Sequence, residues 1–418
     1  MRHLYSLLLY LLIPPVLHRL MWRGFKNRGY WRRWGERFGF VPRLTAPLIW
    51  VHAVSVGEVR AAQPLVRALQ RDYPGHRILV TTMTPTGSDT VRLLFGDSVA
   101  HCYVPYDLPT AVRRFLDRVR PRLALIMETE IWPNLFHHCG ARALPLVLAN
   151  ARLSEQSAHG YRRFAALTRA TLANVRAVGA QSPDDAARIR ALGAAHVEIT
   201  GNIKFELGVP PEVGAQAGAL RSGFGGRPVW IAASTRDDEE IPVLEAFATL
   251  RARFPRLLLL LVPRHPERFE YAARLCEQRG YRIERRSVRR DGAAAGTDIL
   301  LGDTMGELVL LYAAADVAFI GGSLKPLGGQ NLLEALAVGT PVVFGPHMFN
   351  FSEISRLGLA RGAAREVRDS SGLAQAVGDW LADPDARRVA GEAGKKMVEE
   401  NRGALDKTLA LVRAVFRG

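Results

Sequence analysis

Three carboxylates and a lysine in the first half of this sequence carry the types and spacing of acid–base chemistry. Glu58 lies in IWVHAVSVGEVRAAQPLVRAL (residues 49–69). An apolar run from Ile49 to Val54, broken only by His52, meets Ser55 and Gly57, and apolar residues then recur at helical spacing in Val59, Ala62, Val66 and Leu69. That pattern reads as strand, tight turn and helix, with Glu58 in the first helical turn beside the carboxyl end of a strand, where open α/β sheets place their ligands. A Glu there complements the helix dipole; with other charged groups at the same rim it becomes a candidate base. METEIWPN (127–134) supplies such groups, placing Glu128 and Glu130 just at the end of an apolar run, with Trp132, Pro133 and Asn134 following. Two carboxylates one residue apart at a strand end project to the same side and raise each other's pKa when buried. Lys204, in GNIKFE (201–206), offers the opposite charge to a developing anion.

The second half carries residues suited to holding an anion. Pro263 and Arg264, in PRHP, directly follow the apolar run Leu257–Val262, and a planar guanidinium at a strand end can fork onto a phosphate. In GGSLKPLGGQNLLEALAVGTPVV (321–343) a short strand enters a Gly-rich loop that feeds a helix from Asn331 to Ala337. Backbone N–H groups and a positive helix end would converge there on an anion; the alternative is a tight turn that needs glycine for its backbone angles. Glu334, inside that helix's first turn, can accept hydrogen bonds from sugar hydroxyls. In GDTMGELVLLYAAAD (302–316), Gly306 and Glu307 open a further helix.

The elements that must position these residues alternate regularly. Apolar runs Leu48–Val54, Arg77–Thr82, Ala100–Val104, Leu123–Glu128, Pro145–Asn150 and Ala177–Ala180 read as strands, with amphipathic stretches such as Leu108–Val119 between them. Residues 207–227 are rich in Gly, Pro and Ala and read as a linker. The rhythm restarts with Pro228–Ala233, Leu257–Val262, Tyr281–Arg285, Ile299–Leu301, Val317–Ile320 and Pro341–Phe344. Strands separated by helices imply parallel sheets covered on both faces. The expected fold class is therefore α/β, with two Rossmann-like doubly wound domains, 44–206 and 228–418, facing each other across a cleft.

Residues 1–43 differ from both halves. LYSLLLYLLIPPVL (4–17) is almost wholly apolar, short for a bilayer span of about 20 residues, and Pro14 and Pro15 would kink it. Through Arg43 the following segment carries Arg19, Arg23, Lys26, Arg28, Arg32, Arg33, Arg37 and Arg43 against Glu36 alone, interleaved with Trp22, Phe25, Tyr30, Trp31, Trp34 and Phe38. Aromatic bodies with cationic neighbours suit an anionic membrane surface, and the charge bias keeps the main body in the cytoplasm. An ordinary basic surface helix is the alternative.

Whole-chain composition bounds the function. With 56 Lys plus Arg against 40 Asp plus Glu in 418 residues, the chain attracts nucleic acid, anionic membrane or phosphorylated substrates without choosing among them. Cys102, Cys139 and Cys276 are too few and too dispersed for a disulfide framework or a thiolate zinc site. His137-His138-Cys139 are adjacent and point in different directions, and Asp383-Pro384-Asp385 lies in an apparent turn, so neither reads as a metal site. GEAGK (391–395) has too few residues between its glycines for a phosphate-loop NTPase.

Taken in order, HAVSVGE, TTMTPTGS, YVPYDLP, METEIWPNL, ANARLSE, GNIKFE, LVPRHPERF, GDTMGELVLLYAAAD, GGSLKPLGGQNLLEA and GPHMFNF closely resemble the Kdo transferase family, glycosyltransferase family 30. The resemblance implies a GT-B glycosyltransferase with a hydrophobic membrane-anchoring amino-terminal helix, at the cell inner membrane. It implies inverting, metal-independent transfer of 3-deoxy-D-manno-octulosonate (Kdo) from CMP-Kdo to the lipid A precursor lipid IVA, with no cofactor. By carry-over, Glu58 matches the general base, and Glu128 and Lys204 match groups that stabilise the transition state. The CMP site matches Pro263, Arg264, Met305, Gly306, Glu307, Asn331, Leu332, Leu333 and Glu334. One departure stands out: where the family often reads His-Asn-Pro-Leu-Glu, this chain has Gln330-Asn331-Leu332-Leu333-Glu334. A nucleotide-sugar epimerase could use the same paired sheets but gives no reason for the anchor, and a tethered nucleic-acid binder leaves the carboxylate rim unexplained.

Overall fold

The computed structural model describes residues 1–26, 28–206 and 208–417; Leu207, the first residue of the expected linker, lies outside the described residues, as do Asn27, Gly418 and the side chains of Lys26 and Arg417. The chain forms two compact units, Met1–Glu206 with Arg402–Gly418, and Leu207–Asn401.

The first unit is built on seven strands, β1 (Leu48–His52), β2 (Arg77–Thr82), β3 (Ala100–Tyr103), β4 (Leu123–Met127), β5 (Leu146–Ala151), β6 (Ala177–Ala180) and β7 (Val197–Ile199), in the order β3-β2-β1-β4-β5-β6-β7. Every pairing is parallel. Every residue of β1 and β4 is buried, as expected of central strands covered by helices on both faces. One face of the sheet packs Trp50, Phe115 and Phe136, the other Val51, Leu65 and Met127. The chain turns from one half of the sheet to the other between β1 and β4, so the loops that leave these two strands diverge at their carboxyl ends, where sheets of this kind take their ligands.

The second unit repeats the architecture with β8 (Val229–Thr235), β9 (Leu258–Pro263), β10 (Ile283–Arg285), β11 (Ile299–Leu301), β12 (Val317–Ile320), β13 (Val342–Phe344) and β14 (Ala364–Glu366). Their order is β10-β11-β9-β8-β12-β13-β14, again all parallel, around a core of Trp230, Phe247 and Phe319. Its switch point lies between β8 and β12, from which the Gly-rich loop departs.

Several boundaries differ from the sequence expectation. The short edge strands β7 and β14 carry too few apolar residues to stand out. The expected linker contains a helix, Val213–Gly223, whose buried Val213, Ala217 and Leu220 keep helical spacing beneath three glycines. Arg221 ties that helix to Asp316 at 2.8 Å, so this stretch is part of the second unit. At the other end the second unit stops at Asn401, not at 418. The last helix, Ala404–Arg417, lays Leu409 and Val412 against the first unit's core, with Phe416 edge-on to Tyr73 at 5.3 Å and Arg413 bonded to Asp72.

At the amino end two helices, Arg2–Leu11 and Ile13–Lys26, meet at a bend of 48°. The prolines cause the break, because Pro14 and Pro15 have no N–H to offer the carbonyls four residues back. Among the described residues no single helix is long and apolar enough to cross a membrane, although the bent pair together has the length and composition. Leu4, Leu7, Leu8, Leu11, Trp22 and Phe25 are exposed. The segment after them does not all face outward. Arg37 is buried with its guanidinium 4.3 Å from the Tyr103 ring centre, Glu36 accepts the Tyr103 N–H, Phe38 stacks edge-on with Tyr106, and Val41 lies in the core. Residues 36–41 are thus part of the first unit's fold.

Leu409 sits at 2 % exposure in the first unit's core. Leu409→Ala is expected to cost about 2–5 kcal/mol of unfolding free energy, as for other buried Leu truncations, measured by denaturant unfolding; a loss below 0.5 kcal/mol would show that the last helix is only peripheral.

Candidate active site

Glu58 caps its own helix and is buried in doing so. The helix Val56–Asp72 starts after Ser55, whose hydroxyl donates to Glu58 Oε1 at 2.9 Å, while the Val54 N–H donates to Glu58 Oε2 at 2.9 Å. This is a variant of the reciprocal Ser/Glu cap that fixes many helix starts, so the dipole-complementing role is realised. Two features take Glu58 beyond it. The residue is only 8 % exposed. Burial, helped by the charges of Glu128 and Glu130 and opposed by the Val54 and Ser55 bonds, pushes its carboxyl up to about 7. A carboxylate ionising near neutrality is matched to proton transfer at physiological pH.

Glu128 follows β4 with a left-handed backbone, φ 55°, its N–H bonded to Ala149 O at 2.9 Å. That turn aims its carboxylate at Lys204, whose Nζ lies 3.5 Å from Oε1. Lys204 sits on a single helical turn, Ile203–Phe205, fixed from two sides: Asn150 Oδ1 accepts the Ile203 N–H and Asn202 Oδ1 accepts the Lys204 N–H, both at 3.0 Å. Gln181 in turn accepts from the Asn202 amide at 2.9 Å. Glu130 bonds the Trp132 indole N–H at 2.8 Å, and burial raises its pKa despite that bond. Trp132 meets buried His52 edge to face, 5.5 Å between centres. Glu58, Glu128 and Glu130 therefore gather at the carboxyl ends of β1 and β4, as their spacing predicts, and Lys204, which the sequence placed only near the domain junction, joins them through Glu128. Sequence reading missed Asn150, Gln181 and Asn202, which hold the lysine; the signal for Asn150 is an amide at a strand end, where its φ is 55°.

In the second unit the anion-site expectation needs correction. The first N–H groups of the Gly-rich loop are already occupied, because buried Glu239 accepts from Gly322, Ser323 and Leu324, and from Arg236 at 3.0 Å. The Gly329 and Gln330 N–H groups close on Gly322 and Gly321 carbonyls within the loop. The N–H groups of Gly322, Ser323, Leu324, Gly329 and Gln330 are thus bonded within the unit and do not form the anion cradle expected of them. Pro263 ends β9 buried, and Arg264 beside it bonds Gln330 Oε1 through Nε at 3.2 Å. The departure from the family pattern therefore includes the residue that orients this guanidinium, besides the loss of the Pro at the helix opening, where this chain has Leu332.

The helix expected from Asn331 starts instead at Leu333, with Asn331 outside it: Asn331 Oδ1 accepts the Leu333 N–H at 3.1 Å and its amide donates to Glu334 Oε1 at 3.2 Å. Leu332 and Leu333 are fully buried, so they offer a ligand only their backbone. Across β9, Met305 is 67 % exposed, and Gly306 has φ 85°, a turn that a side chain would strain. Burial works upward on Glu307, but the Thr304 hydroxyl and buried Arg286, at 3.0 Å, hold its carboxyl below the usual range. Arg264, Glu307 and Asn331 follow β9, β11 and β12, parallel strands of one sheet, so all three lie beyond the same edge of it.

Other candidates separate from these sites. Asp383 caps the helix Pro384–Glu400 through the Ala386 N–H, the ordinary work of an Asp in that place. A cavity of ≈ 520 Å³ lined by Arg120, Arg122, Arg142 and Phe416 opens at the amino ends of β4 and β5, away from the carboxylates.

Comparison with known proteins decides the family. A family model described as 3-deoxy-D-manno-octulosonic-acid transferase (kdotransferase) matches residues 32–207, and one described as glycosyl transferases group 1 matches residues 242–397. The 3-deoxy-D-manno-octulosonic acid transferase of Haemophilus influenzae is 43% identical over 99% of this chain and 98% of its own. The chain belongs to the Kdo transferase family. The Bordetella pertussis member is 42% identical over 95% of each chain. Among solved structures, a putative UDP-N-acetylglucosamine 2-epimerase from Listeria monocytogenes covers 89% of this chain and 97% of its own at 12% identity and TM-score 0.57. A Rickettsia africae glycosyltransferase gives 12% identity and TM-score 0.54 over 90% of this chain and 98% of its own. Those two share the GT-B-like fold of this Kdo transferase and nothing more. The chain is accordingly a glycosyltransferase.

Glu239→Ala would strip four backbone N–H groups of their acceptor inside the second unit. A loss of about 3 kcal/mol or more is expected, read by denaturant unfolding, with Glu239→Gln recovering part of it. A neutral Ala variant would mean that water replaces the carboxylate without cost.

Proposed function

We propose that this protein transfers Kdo from CMP-Kdo to the lipid A precursor lipid IVA by an inverting, metal-independent displacement that releases CMP. The observation that carries the reading is the buried Glu58 carboxyl, poised at about 7 beside Glu128 and Lys204, in a chain of the Kdo transferase family. Glu58 takes the proton of an acceptor sugar hydroxyl as its oxygen attacks the anomeric carbon of Kdo. The carbon–oxygen bond to CMP breaks, its electron pair leaves with the phosphate, and attack from the opposite face inverts the centre.

Charge develops on both sides of that step. Lys204, held by Asn150 and Asn202 and 3.5 Å from Glu128, keeps a fixed positive charge at the rim, and Glu128 keeps a negative one where the anomeric carbon turns cationic. In the donor unit Arg264, oriented by Gln330, meets the CMP phosphate, and Asn331 and Glu334 offer amide and carboxylate to the nucleoside. Met305, Gly306 and Glu307 form the far wall, with Leu332 and Leu333 contributing backbone.

The acceptor and the location follow from the amino end. A lipid substrate suits a protein whose first helix exposes Leu4, Leu7, Leu8 and Leu11 and is followed by exposed Arg19, Arg23, Arg28 and Arg32. We place the enzyme at the inner membrane with both units on the cytoplasmic side, against the anionic lipid surface.

The test is transfer from labelled CMP-Kdo to lipid IVA. Glu58→Gln keeps an oxygen for the Val54 N–H but cannot accept a proton, so turnover should fall by roughly 10² to 10⁴ with the fold intact. Wild-type turnover in that variant would remove Glu58 from the mechanism. Because the base must be ionised, kcat/KM should rise with pH through about 7 and level off above it. Glu128→Gln removes a charge that raises Glu58, so the acid limb should move to lower pH even as the rate drops; an unmoved limb would contradict the coupling.

A further inference from the structure

The motif YVPYDLP has no part in the carboxylate chemistry, and neither has the polar stripe of the first helix. The structure joins them. Asp107, the acid of that motif, is almost fully buried. Its Oδ2 accepts the Asn134 N–H at 3.0 Å and its Oδ1 accepts the Leu135 N–H at 2.7 Å. These are the first free N–H groups of the helix Pro133–Gly140, which has no side-chain cap of its own because Trp132 stands in the cap position. Asp107 supplies that cap from 27 residues away.

The first helix holds Asp107 and Asn134 from the other side. The Tyr5 hydroxyl donates to Asp107 Oδ2 at 3.0 Å. Asn134, fully buried, donates its amide to Asp107 O at 2.7 Å; its Oδ1 accepts from Arg2 Nη1 at 3.2 Å and lies 3.0 Å from buried Ser6 Oγ. Every side-chain polar atom of Asn134 is thus used on Asp107's own backbone or on the first helix.

We propose that Tyr5 and Asp107 are positioning residues for the carboxylate rim: Tyr5 fixes Asp107, Asp107 fixes the amino end of the helix Pro133–Gly140, and that helix fixes the turn carrying Glu128, Glu130 and Trp132. The turn is short. β4 and the Ala149 carbonyl hold its start, and the Asp107 cap holds its end. Glu128 keeps a left-handed backbone, φ 55°, a conformation costing a non-glycine residue about 1 kcal/mol or more. Such a residue relaxes when one end of its turn is released, and Glu128 would then swing away from Lys204 and Glu58. The first helix is on this account a part of the catalytic framework as well as an apolar surface. The inference rests on the reading that Glu58 and Glu128 act on the substrate.

Three full-chain variants test it: Tyr5→Phe, Asp107→Asn and, as a control on the same helix, Tyr10→Phe, whose hydroxyl meets Thr110 Oγ1 at 2.8 Å and not Asp107. Hydrogen–deuterium exchange of residues 128–136 and the kinetics of Kdo transfer are both read. In Tyr5→Phe and Asp107→Asn the Asn134 and Leu135 amides should exchange about tenfold faster or more, and kcat should fall roughly five- to twentyfold, within the range for displaced catalytic groups. The KM for CMP-Kdo, set by the other unit, should stay within about twofold, and Tyr10→Phe should match wild type. Unchanged exchange in the first two variants, an equal loss in Tyr10→Phe, or a change confined to KM would overturn the proposal. Absence of transfer in the wild-type protein would count against the functional reading itself, while the exchange result decides the Tyr5–Asp107 link either way.

Discussion

The parallel pairing of β1 with β4 is the constraint on which the rest depends. Ile49 to His52 run in register with Leu123 to Ile126, and the chain leaves these neighbours in opposite directions. That divergence makes room at the sheet's carboxyl edge and brings Glu58 to Glu128, residues 70 positions apart in sequence. The two carboxylates are not paired with each other. Glu58 is satisfied by its own helix start, Glu128 by Lys204, and the cost of keeping them close in a buried place appears as the raised pKa of Glu58. Burial raises the structural acids Asp107 and Glu239 as well, so what sets Glu58 apart is its place beside Glu128 and Glu130, with Lys204 at the same rim.

Support for that rim comes from distant parts of the chain. Lys204 stands on one helical turn with amides of Asn150, Asn202 and Gln181 around it, and the last helix closes over the same segment, its Leu405 N–H donated to Glu206 at 3.1 Å. The carboxyl terminus therefore completes the unit that carries the carboxylates. In the second unit a buried acid, Glu239, accepts the first N–H groups of the Gly-rich loop from inside, while Gln330 at the far end of that loop holds the Arg264 guanidinium. Gln330 offers that guanidinium an acceptor whose state does not change with pH.

What the sequence made legible was local. Strands β1, β2, β4 and β6 follow from short apolar runs, and Glu58 follows from the Ser-Val-Gly-Glu spacing at a helix start, because cap and helix lie within four residues. The interactions that escaped are long-range. Nothing near Glu239 announces that its carboxylate fills a loop more than 80 residues away, and Asp107 gives no local sign that it caps a helix at Asn134. The helix Val213–Gly223 was obscured by glycines, whose poor helix propensity is overridden by packing against the second unit. The return of Ala404–Arg417 to the first unit depends on which core has an uncovered apolar face, a property of the assembled sheet.

The central claim is that burial and neighbouring charge hold the Glu58 carboxyl at neutrality. A carbon-13 titration of the Glu side-chain carboxyls, with the Glu58 signal assigned by its loss in Glu58→Gln, measures this directly. The account predicts a midpoint near 7. A midpoint at the ordinary value of about 4.3 would contradict it, leaving Glu58 as a helix cap and placing the proton acceptor elsewhere.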